Sequence, residues 1–286
     1  MVDIYRGFEQ EELDQQYRAA ATVPNMQEFI DSYISLSAIA RDTLNCATNI
    51  KFGPGEEETL DLFRVPGVKA APLFVFIHGG YWRMLSKNES SFMAPNLVNH
   101  GVAVASINYT LAPNADIDQI VAECRRSIKW LYENVADYGI DPDRIYVGGS
   151  SAGGHLTGMM IAGGWQEEFK LPTNVIKGAL PMSGLLDMEP IASCFVNGWM
   201  QMSMEDALRN SPDRNLPLSG CPLIVAVGGD ETDEFKRQSR DFAALWRSHG
   251  WRADYLECPG INHFNAPLEL CKASSEMTQK FLTMIS

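Results

Sequence analysis

The sequence predicts an α/β protein with a mostly parallel central sheet that is covered by helices on both faces. From about Pro72 onward, short apolar runs alternate with helical patterns, as they do in consecutive βαβ units. These runs are rich in Val, Ile, Leu and Phe, which is typical of central strands that are buried on both faces. Five such strands are predicted, at residues 72–77, 102–108, 144–148, 176–181 and 223–227.

Other segments add to this pattern on either side of the central strands. Residues 252–257 predict one more strand, and residues 59–65 alternate apolar and polar side chains like an antiparallel strand near the sheet edge. Apolar residues also recur at spacings of three and four. They predict amphipathic helices at residues 117–135, ended by Gly139, and at residues 234–248 and 268–286.

The chain is expected to form a single domain over residues 1–286. A length of 286 residues with 45% hydrophobic residues is enough to bury a large core. Residues 1–50 differ from the rest, because they predict two helical segments and no strand. Asn25 is the predicted N-cap of the second segment, with Glu28 three residues later as in a capping box.

A cap-like insertion is predicted between the fourth and fifth of these central strands. Residues 185–217 interrupt the βα rhythm with Phe195, Trp199 and several methionines. We expect this insertion to lie over the ends of the strands, where the loops of a parallel sheet carry functional residues.

Composition and charge exclude several classes of function. The formal net charge of -13 and the pI near 4.8 oppose binding to nucleic acid or to an anionic membrane surface. Since the N-terminus lacks the basic start of a signal peptide and no apolar run approaches about 18 residues, a cytoplasmic location is expected. The six cysteines show no metal-ligand spacing, and we expect them to be reduced and buried, with no metal and no cofactor.

A nucleophilic serine is predicted where the strand at residues 144–148 runs into a helix. Gly149-Ser150-Ser151-Ala152-Gly153 has the pattern G-x-S-x-G, and the strand before it and the helix after it are the context that this motif requires. Glycines on both sides let the backbone turn sharply without a Cβ clash. The register makes Ser151 the nucleophile and not Ser150.

A second loop carries groups that can stabilise negative charge. The strand at residues 72–77 ends in His78-Gly79-Gly80-Tyr81-Trp82. An acyl-transfer reaction places negative charge on the former carbonyl oxygen, and backbone N–H donors stabilise that charge. We therefore predict an oxyanion hole formed by Gly79, Gly80 and Ala152.

The predicted base is His263, which lies in the loop after the last predicted strand. Hydrolases with a serine elbow place their histidine there, after the serine and the acid. His100 and His249 each precede a glycine at a predicted helix end. His155 lies one helical turn beyond the nucleophile and is the weaker alternative base, and His78 is expected to brace the glycine loop.

Taken together, these motifs resemble the kynurenine formamidase-like α/β-hydrolases (arylformamidases), which are related to the hormone-sensitive-lipase type of carboxylesterase. The HGGYW loop at 78–82 and the EFKRQS segment at 234–239 are the specific parts of the resemblance, which spans nearly the whole chain. The G-x-S-x-G motif is shared by hydrolases in general. The remaining matches are YRGF at 5–8, LDQQY at 13–17, SAGGH at 151–155, NSP at 210–212 and VGG at 227–229.

The resemblance implies an α/β-hydrolase fold and a serine hydrolase activity. Similar proteins hydrolyse N-formyl-L-kynurenine to formate and kynurenine, or act on simple aryl esters, without a metal. We therefore expect a small-molecule ester or amide substrate from which a formyl or acetyl group is removed. A short-chain carboxylesterase without formamidase activity and a catalytically silent ligand-binding protein are the alternatives, and the sequence leaves open whether the chain forms a homodimer.

The acid of the predicted triad is the point at which this sequence departs from its resemblance. Animal members have an aspartate there, whereas this chain has Asp230-Glu231. Alignment of residues 227–228 and 234–235 with the family implies Glu231 as the acid. Asp230 is the alternative, and Asp187, after the fourth predicted strand, is the third candidate.

Three aromatic residues are predicted to contact the substrate. Tyr81 and Trp82 follow the glycine pair, where bulky rings can limit the acyl group to one or two carbons. Trp199 belongs to the insertion at residues 185–217, whose aromatic and methionine side chains suit a flat, aromatic leaving group.

Overall fold

The computed structural model describes residues 3–286, which contain eight strands in one sheet. The strands are β1 (Cys46–Lys51), β2 (Thr59–Phe63), β3 (Ala71–Ile77), β4 (Ala103–Ile107), β5 (Ile140–Ser150), β6 (Ile176–Met182), β7 (Leu223–Gly228) and β8 (Ala253–Cys258). Their order in the sheet is β1-β2-β4-β3-β5-β6-β7-β8. The pairs β1/β2 and β2/β4 are antiparallel and all the others are parallel, which confirms the prediction of a mostly parallel sheet.

The helices lie between the strands and before the first of them. They are α1 (Gln10–Gln16), α2 (Gln27–Thr43), α3 (Ala94–Asn99), α4 (Ile117–Asn134), α5 (Ala152–Ile161), α6 (Glu189–Ser193), α7 (Asn197–Met200), α8 (Met204–Arg209), α9 (Asp233–Ser248) and α10 (Glu276–Ile285). Within the described residues, none of these helices combines the length and the apolar character that a bilayer span requires.

Hydrophobic side chains are buried on both faces of the sheet. Successive side chains of a strand point to opposite faces, and in β3 Leu73 and Val75 join one buried cluster while Phe74 and Phe76 join another. Helices α4, α5 and α9 contribute to the first cluster, and α2, α3 and α10 contribute to the second. The expectation of helices on both faces is confirmed.

Helix α4 shows how closely local sequence sets the boundaries of an element. The side chain of Asp116 accepts a hydrogen bond from the Gln119 amide at 2.8 Å and caps the first turn. Isoleucine, valine and leucine side chains on one face are buried against the sheet. After one 3₁₀ turn the segment ends at Gly139, whose φ of 76° lies in the left-handed region that favours glycine.

The prediction that residues 1–50 contain no strand is wrong, because β1 begins at Cys46. This strand is the outermost of the sheet, is at best half-buried, and has the sequence CATNIK, which shows no apolar alternation. The predicted cap at Asn25 is also displaced, since α2 begins at Gln27. Asn25 still accepts a hydrogen bond from the Gln27 amide at 3.0 Å and donates one to Glu28 at 3.1 Å.

Two further expectations hold only in part. Residues 268–286 do not form one helix, because a 3₁₀ turn over Pro267–Cys271 precedes α10, which Ser275 caps. The six cysteines are free thiols, and three of them are buried. The other three, contrary to expectation, are only partly buried: Cys46, Cys221 and Cys271.

Candidate active site

Ser151 occupies a strained turn between β5 and α5. Its φ of 59° and ψ of -119° are sparsely populated for a residue with a side chain, which indicates that the surroundings hold it in place. The Ser151 amide donates to the carbonyl of Met182, at the end of the neighbouring strand β6, at 2.9 Å. A Cβ on Gly153 would lie 2.0 Å from the Ile77 oxygen, so only glycine allows this turn to pack against β3.

The glycine loop after β3 lies against this turn. Strands β3 and β5 are paired in parallel with Ile77 opposite Gly149, so the loops that follow them start side by side. A Cβ on Gly79 would lie 2.6 Å from the Ser150 oxygen and 3.3 Å from the Ser151 Cβ. The structure therefore brings the backbone of Gly79 next to Ser151, and Ala152 begins α5, where amide groups lack intrahelical partners.

His263 and Glu231 form a buried hydrogen-bonded pair. The imidazole Nδ1 lies 2.6 Å from Glu231 Oε2. The other carboxylate oxygen of Glu231 accepts from Ser183 Oγ at 2.6 Å and from the Gly228 amide at 2.7 Å. Because a carboxylate can only accept at Nδ1, the pairing assigns the proton to Nδ1 and leaves Nε2 able to take a proton.

Of the three carboxylates considered from sequence, only Glu231 contacts His263. Asp230 is exposed to solvent. Asp187 accepts hydrogen bonds from the hydroxyl of Tyr5 at 2.7 Å and from the Glu189 amide at 3.1 Å. Neither alternative acid is placed to orient the imidazole.

Ser151 and His263 open into the same cavity, which has a volume of about 500 Å³. This size is within the range of small-molecule sites. Apart from His263, the lining contains one ionisable cation, Arg18, and otherwise consists of aliphatic, aromatic and small side chains. The lining residues are Tyr17, Arg18, Ala19, Ala20, Ala21, Met26, Ile30, Tyr33, Phe76, Gly79, Gly80, Tyr81, Met84, Leu85, Ser90, Phe92, Ser150, Ser151, Phe195, His263, Phe264 and Pro267.

Two of the three predicted substrate contacts do not line this cavity. Trp82 is fully buried, because the positive φ values of Tyr81 (50°) and Trp82 (56°) turn its indole away, and it packs edge-on against His155 at 5.1 Å between ring centroids. Trp199 packs on the outer side of Tyr81, and its indole N–H donates to the Tyr81 carbonyl at 3.2 Å. Only Tyr81 lines the cavity as expected.

His78 and His155 are held in place by contacts with their neighbours. His78 stacks on Tyr109 with 4.1 Å between ring centroids, and its Nδ1 donates to the Gly79 carbonyl at 2.9 Å. His155 is fully buried and its Nε2 donates to the Asn210 carbonyl at 2.8 Å, so it does not serve as the base. Burial lowers the pKa of both imidazoles to about 4, which keeps them neutral at pH 7.

The N-terminal segment forms one wall of the cavity and is held by a buried polar network. The hydroxyl of Tyr17 donates to Glu234 Oε2 at 2.9 Å and accepts from Gln238 at 2.8 Å. Arg237 pairs with Glu234 through Nε at 2.7 Å and donates to the Tyr5 hydroxyl at 3.1 Å. The EFKRQS segment of α9 therefore anchors the YRGF and LDQQY motifs.

Sequence reasoning missed Ser183 and the anchoring role of Tyr33. Ser183 follows β6, and its position at the carboxyl end of a parallel strand was the available signal. Tyr33 lies in α2, and its hydroxyl donates to the carbonyl of Phe264, the residue after His263. An apolar stripe in a helix gives no sign of such a contact.

The described residues, 3–286, include no cluster of three His, Cys, Asp or Glu side chains that could hold a metal ion. The groups that the structure brings to the cavity are the serine, the imidazole, the carboxylate behind it and the backbone amides of the two turns.

Comparisons with known proteins place the chain in a family. The BD-FAE family model matches residues 60–205. The kynurenine formamidase of Salmo salar is 36% identical over 86% of this chain and 84% of its own length, and that of Danio rerio is 31% identical over 98% of both chains. The crystal structure of a Silicibacter sp. TM1040 protein superimposes with a TM-score of 0.82 at 28% identity, covering 96% of this chain and 98% of that one. The chain therefore belongs to the kynurenine formamidase-like α/β-hydrolases, which are related to carboxylesterases, and it is a hydrolase of that family.

Proposed function

We propose that this hydrolase uses Ser151, His263 and Glu231 to remove a formyl or acetyl group from an aryl amide or aryl ester, with arylformamidase as its leading activity. The observation that carries the proposal is the buried His263–Glu231 pair, at 2.6 Å, facing the same cavity as the strained Ser151. The likeness to proteins called kynurenine formamidase supports a formamide as substrate.

The proposed reaction has two acyl-transfer steps. His263 Nε2 takes the Ser151 proton as Oγ attacks the formyl or acetyl carbon, and the resulting imidazolium gives that proton to the departing amine or alcohol. Water then attacks the acyl-serine with His263 again as base, which releases formate or acetate and restores Ser151. Glu231 holds the imidazole in its tautomer and stabilises the imidazolium.

Ser151 and His263 make no mutual hydrogen bond within the described residues, which is compatible with this role. Hydrogen bonds between a nucleophile and its base are often long before substrate binds and tighten in the complex. The base is instead held by Glu231, whose carboxylate accepts two further hydrogen bonds, from Ser183 Oγ and the Gly228 amide.

The negative charge of each tetrahedral intermediate would be held by backbone amides of Gly79, Gly80 and Ala152. This proposal is supported by the close packing of the glycine loop against the turn at Ser151, which requires that Gly79 has no Cβ. Loss of one such donor typically costs about 3 kcal/mol of transition-state stabilisation.

In this proposal the chain is a single domain in which residues 1–50 and the cap-like insertion 185–217 complete the substrate site. Phe195 of the insertion and Tyr17 of the N-terminal segment both line the cavity. Their aromatic surfaces suit a flat leaving group.

Turnover of N-formyl-L-kynurenine and of p-nitrophenyl acetate tests the assignment. We expect both to be hydrolysed, the first with release of formate. Hydrolysis of the ester alone would reduce the assignment to a short-chain carboxylesterase. Failure of a fluorophosphonate probe to label Ser151, together with no turnover of either compound, would favour the silent ligand-binding protein.

Acyl length gives a second test of the site. We expect kcat/KM for p-nitrophenyl acetate to exceed that for p-nitrophenyl octanoate by about tenfold or more, because Tyr81 lies beside the proposed oxyanion donors, where its ring limits the acyl side. The Tyr81 hydroxyl donates to the Tyr17 carbonyl, which holds the ring in that place. Equal values for the two esters would contradict a short acyl pocket.

A further inference from the structure

We propose that Arg18 binds a carboxylate on the leaving-group side of the substrate, so that the preferred substrates are anionic aryl amides or esters. This inference rests on the proposed function, because a formyl or acetyl group leaves no room for an anionic substituent on the acyl side. It concerns a residue that no catalytic motif contains. Its basis is the position of a single cation in a cavity that is otherwise almost apolar.

Arg18 makes no ion pair with any residue that the structure describes. Its guanidinium lies over the ring of Phe195, with 4.5 Å from Cζ to the centroid. Asp14 precedes it by four residues, about one helical turn. The Asp14 carboxylate instead accepts from the Phe195 amide at 2.7 Å and from Gln10 at 3.1 Å.

The backbone of Arg18 is fixed even though its side chain reaches solvent. Its neighbour Tyr17 is fully buried and is held by Glu234 and Gln238. The backbone carbonyl of Gln16, the residue before Tyr17, accepts a hydrogen bond from the Thr232 hydroxyl at 2.6 Å. A guanidinium that is anchored at its base and stacked on an aromatic ring loses little freedom when it binds an anion.

The chemistry of the site favours one planar carboxylate over other anions. A guanidinium donates two parallel hydrogen bonds to a carboxylate in a geometry that matches its own fork. A phosphate dianion would call for a second positive charge, and Arg18 is the one lysine or arginine among the described residues that line the cavity. Since the protein carries a net charge of -13, an anionic substrate meets general repulsion and needs such a local cation.

Arg83 provides a matched control. It is also exposed, makes no ion pair with the described residues, and stacks on an aromatic ring of the insertion, with 4.8 Å from its Cζ to the centroid of Trp199. Unlike Arg18, it does not line the cavity. The two arginines thus share charge and stacking and differ in access to the site.

The test compares 3-carboxyphenyl acetate with its neutral isostere, 3-carbamoylphenyl acetate, each corrected for its rate of hydrolysis by hydroxide. We expect wild-type kcat/KM to favour the carboxylate by about tenfold, the size expected for hydrogen bonds between charged groups. Arg18→Met should bring the ratio close to one, while Arg83→Met should keep the wild-type ratio. A wild-type ratio near one, an unchanged ratio in Arg18→Met, or an equal loss in Arg83→Met would overturn the proposal.

A binding measurement separates this proposal from the proposed function. Calorimetric titration with 3-hydroxybenzoate and with 3-hydroxybenzamide requires no turnover. We expect the wild-type protein to bind the benzoate about tenfold more tightly and Arg18→Met to lose that difference. If neither ester is hydrolysed but the benzoate preference is present, the proposed acyl substrates fail and the anion site stands. If both esters are hydrolysed and no preference appears in either experiment, the anion site fails alone.

Discussion

The two sides of the cavity are held in place in different ways. On the side of the sheet, Ser151, Ser183 and Glu231 each follow a parallel strand, and backbone pairing between those strands sets their positions. On the opposite side, Tyr17 and Arg18 belong to a segment outside the sheet, which side-chain hydrogen bonds attach to residues more than 200 positions away. The positions of the proposed reacting groups therefore depend on the fold, whereas the position of the wall proposed to contact the leaving group depends on a few side chains.

Ser151→Ala should have the largest effect on the sheet side. We expect kcat to fall by up to about a million-fold, because the remaining rate reflects binding and the oxyanion donors alone. The measurement is steady-state hydrolysis of p-nitrophenyl acetate. Ser150→Ala is the control and should keep most of the activity; if Ser150→Ala were the inactive variant, the nucleophile would be Ser150.

Glu231→Gln should be the next most severe change. An amide in place of the carboxylate orients the imidazole in the wrong tautomer, which should cost about four orders of magnitude in kcat. Asp230→Asn is matched in chemistry and neighbouring in sequence, but Asp230 is exposed, so this variant should stay within about tenfold of wild type. The reverse pattern would assign the role to Asp230.

The buried histidines should make the stability of the folded protein sensitive to acid. In the unfolded chain histidine has a pKa of about 6.5, whereas burial lowers the pKa of His78 and His155 to about 4. Between these pH values the unfolded chain binds more protons than the folded protein, so the free energy of unfolding should fall as the pH falls from about 6.5 to about 4. Urea titrations at several pH values measure this slope.

A single histidine variant sharpens that test. His155→Gln retains a donor for the Asn210 carbonyl. It should reduce the slope of the unfolding free energy against pH by the amount that corresponds to about one bound proton. Equal slopes in the wild type and in His155→Gln would show that His155 does not contribute.

Arg237→Met tests how the N-terminal segment, on the side of the cavity opposite the sheet, is held in place. It leaves the buried Glu234 carboxylate without its cation and should lower the free energy of unfolding by about 3 kcal/mol. At 25 °C the kcat for p-nitrophenyl acetate should remain near the wild-type value, since the sheet side is unchanged. Arg209→Met is the control, because its pair with Asp118 is solvent-exposed and contributes less than about 1 kcal/mol. A loss of kcat as large as that of Ser151→Ala would mean that the two sides are not separable.

The difference between the two sides also explains which parts could be predicted from sequence. The strands from β2 to β8 were predicted because each carries a continuous or alternating apolar pattern, whereas β1 has only Ile50 as a large aliphatic side chain. Ser151 and His263 were singled out because motif and chain order limit where they can lie. Alignment with the family favours Glu231 as the acid, and in the structure its carboxylate contacts His263, the Gly228 amide and Ser183.

The contacts of the cavity wall could not be predicted in the same way. Trp82 was expected to face the substrate because it follows Tyr81, but two successive residues with positive φ bury its indole. Trp199 was chosen for its residue type, and it supports Tyr81 from outside the cavity. The sequence carries no signal for the proposed role of Arg18, because that role depends on its having no ion-pair partner among the residues that the structure describes.

The contact between Tyr33 and the carbonyl of Phe264 has a consequence for how the protein acquires its site during synthesis. The two residues are 231 positions apart, and Tyr17 and Glu234 are separated by 217. The N-terminal wall leaves the ribosome first but finds its hydrogen-bond partners only after nearly the whole chain has emerged. Contacts of such long sequence separation slow folding. Until they form, the hydroxyls of Tyr33 and Tyr17 lack these partners, so the cavity wall is completed late even though Tyr33 can already pack on Phe92.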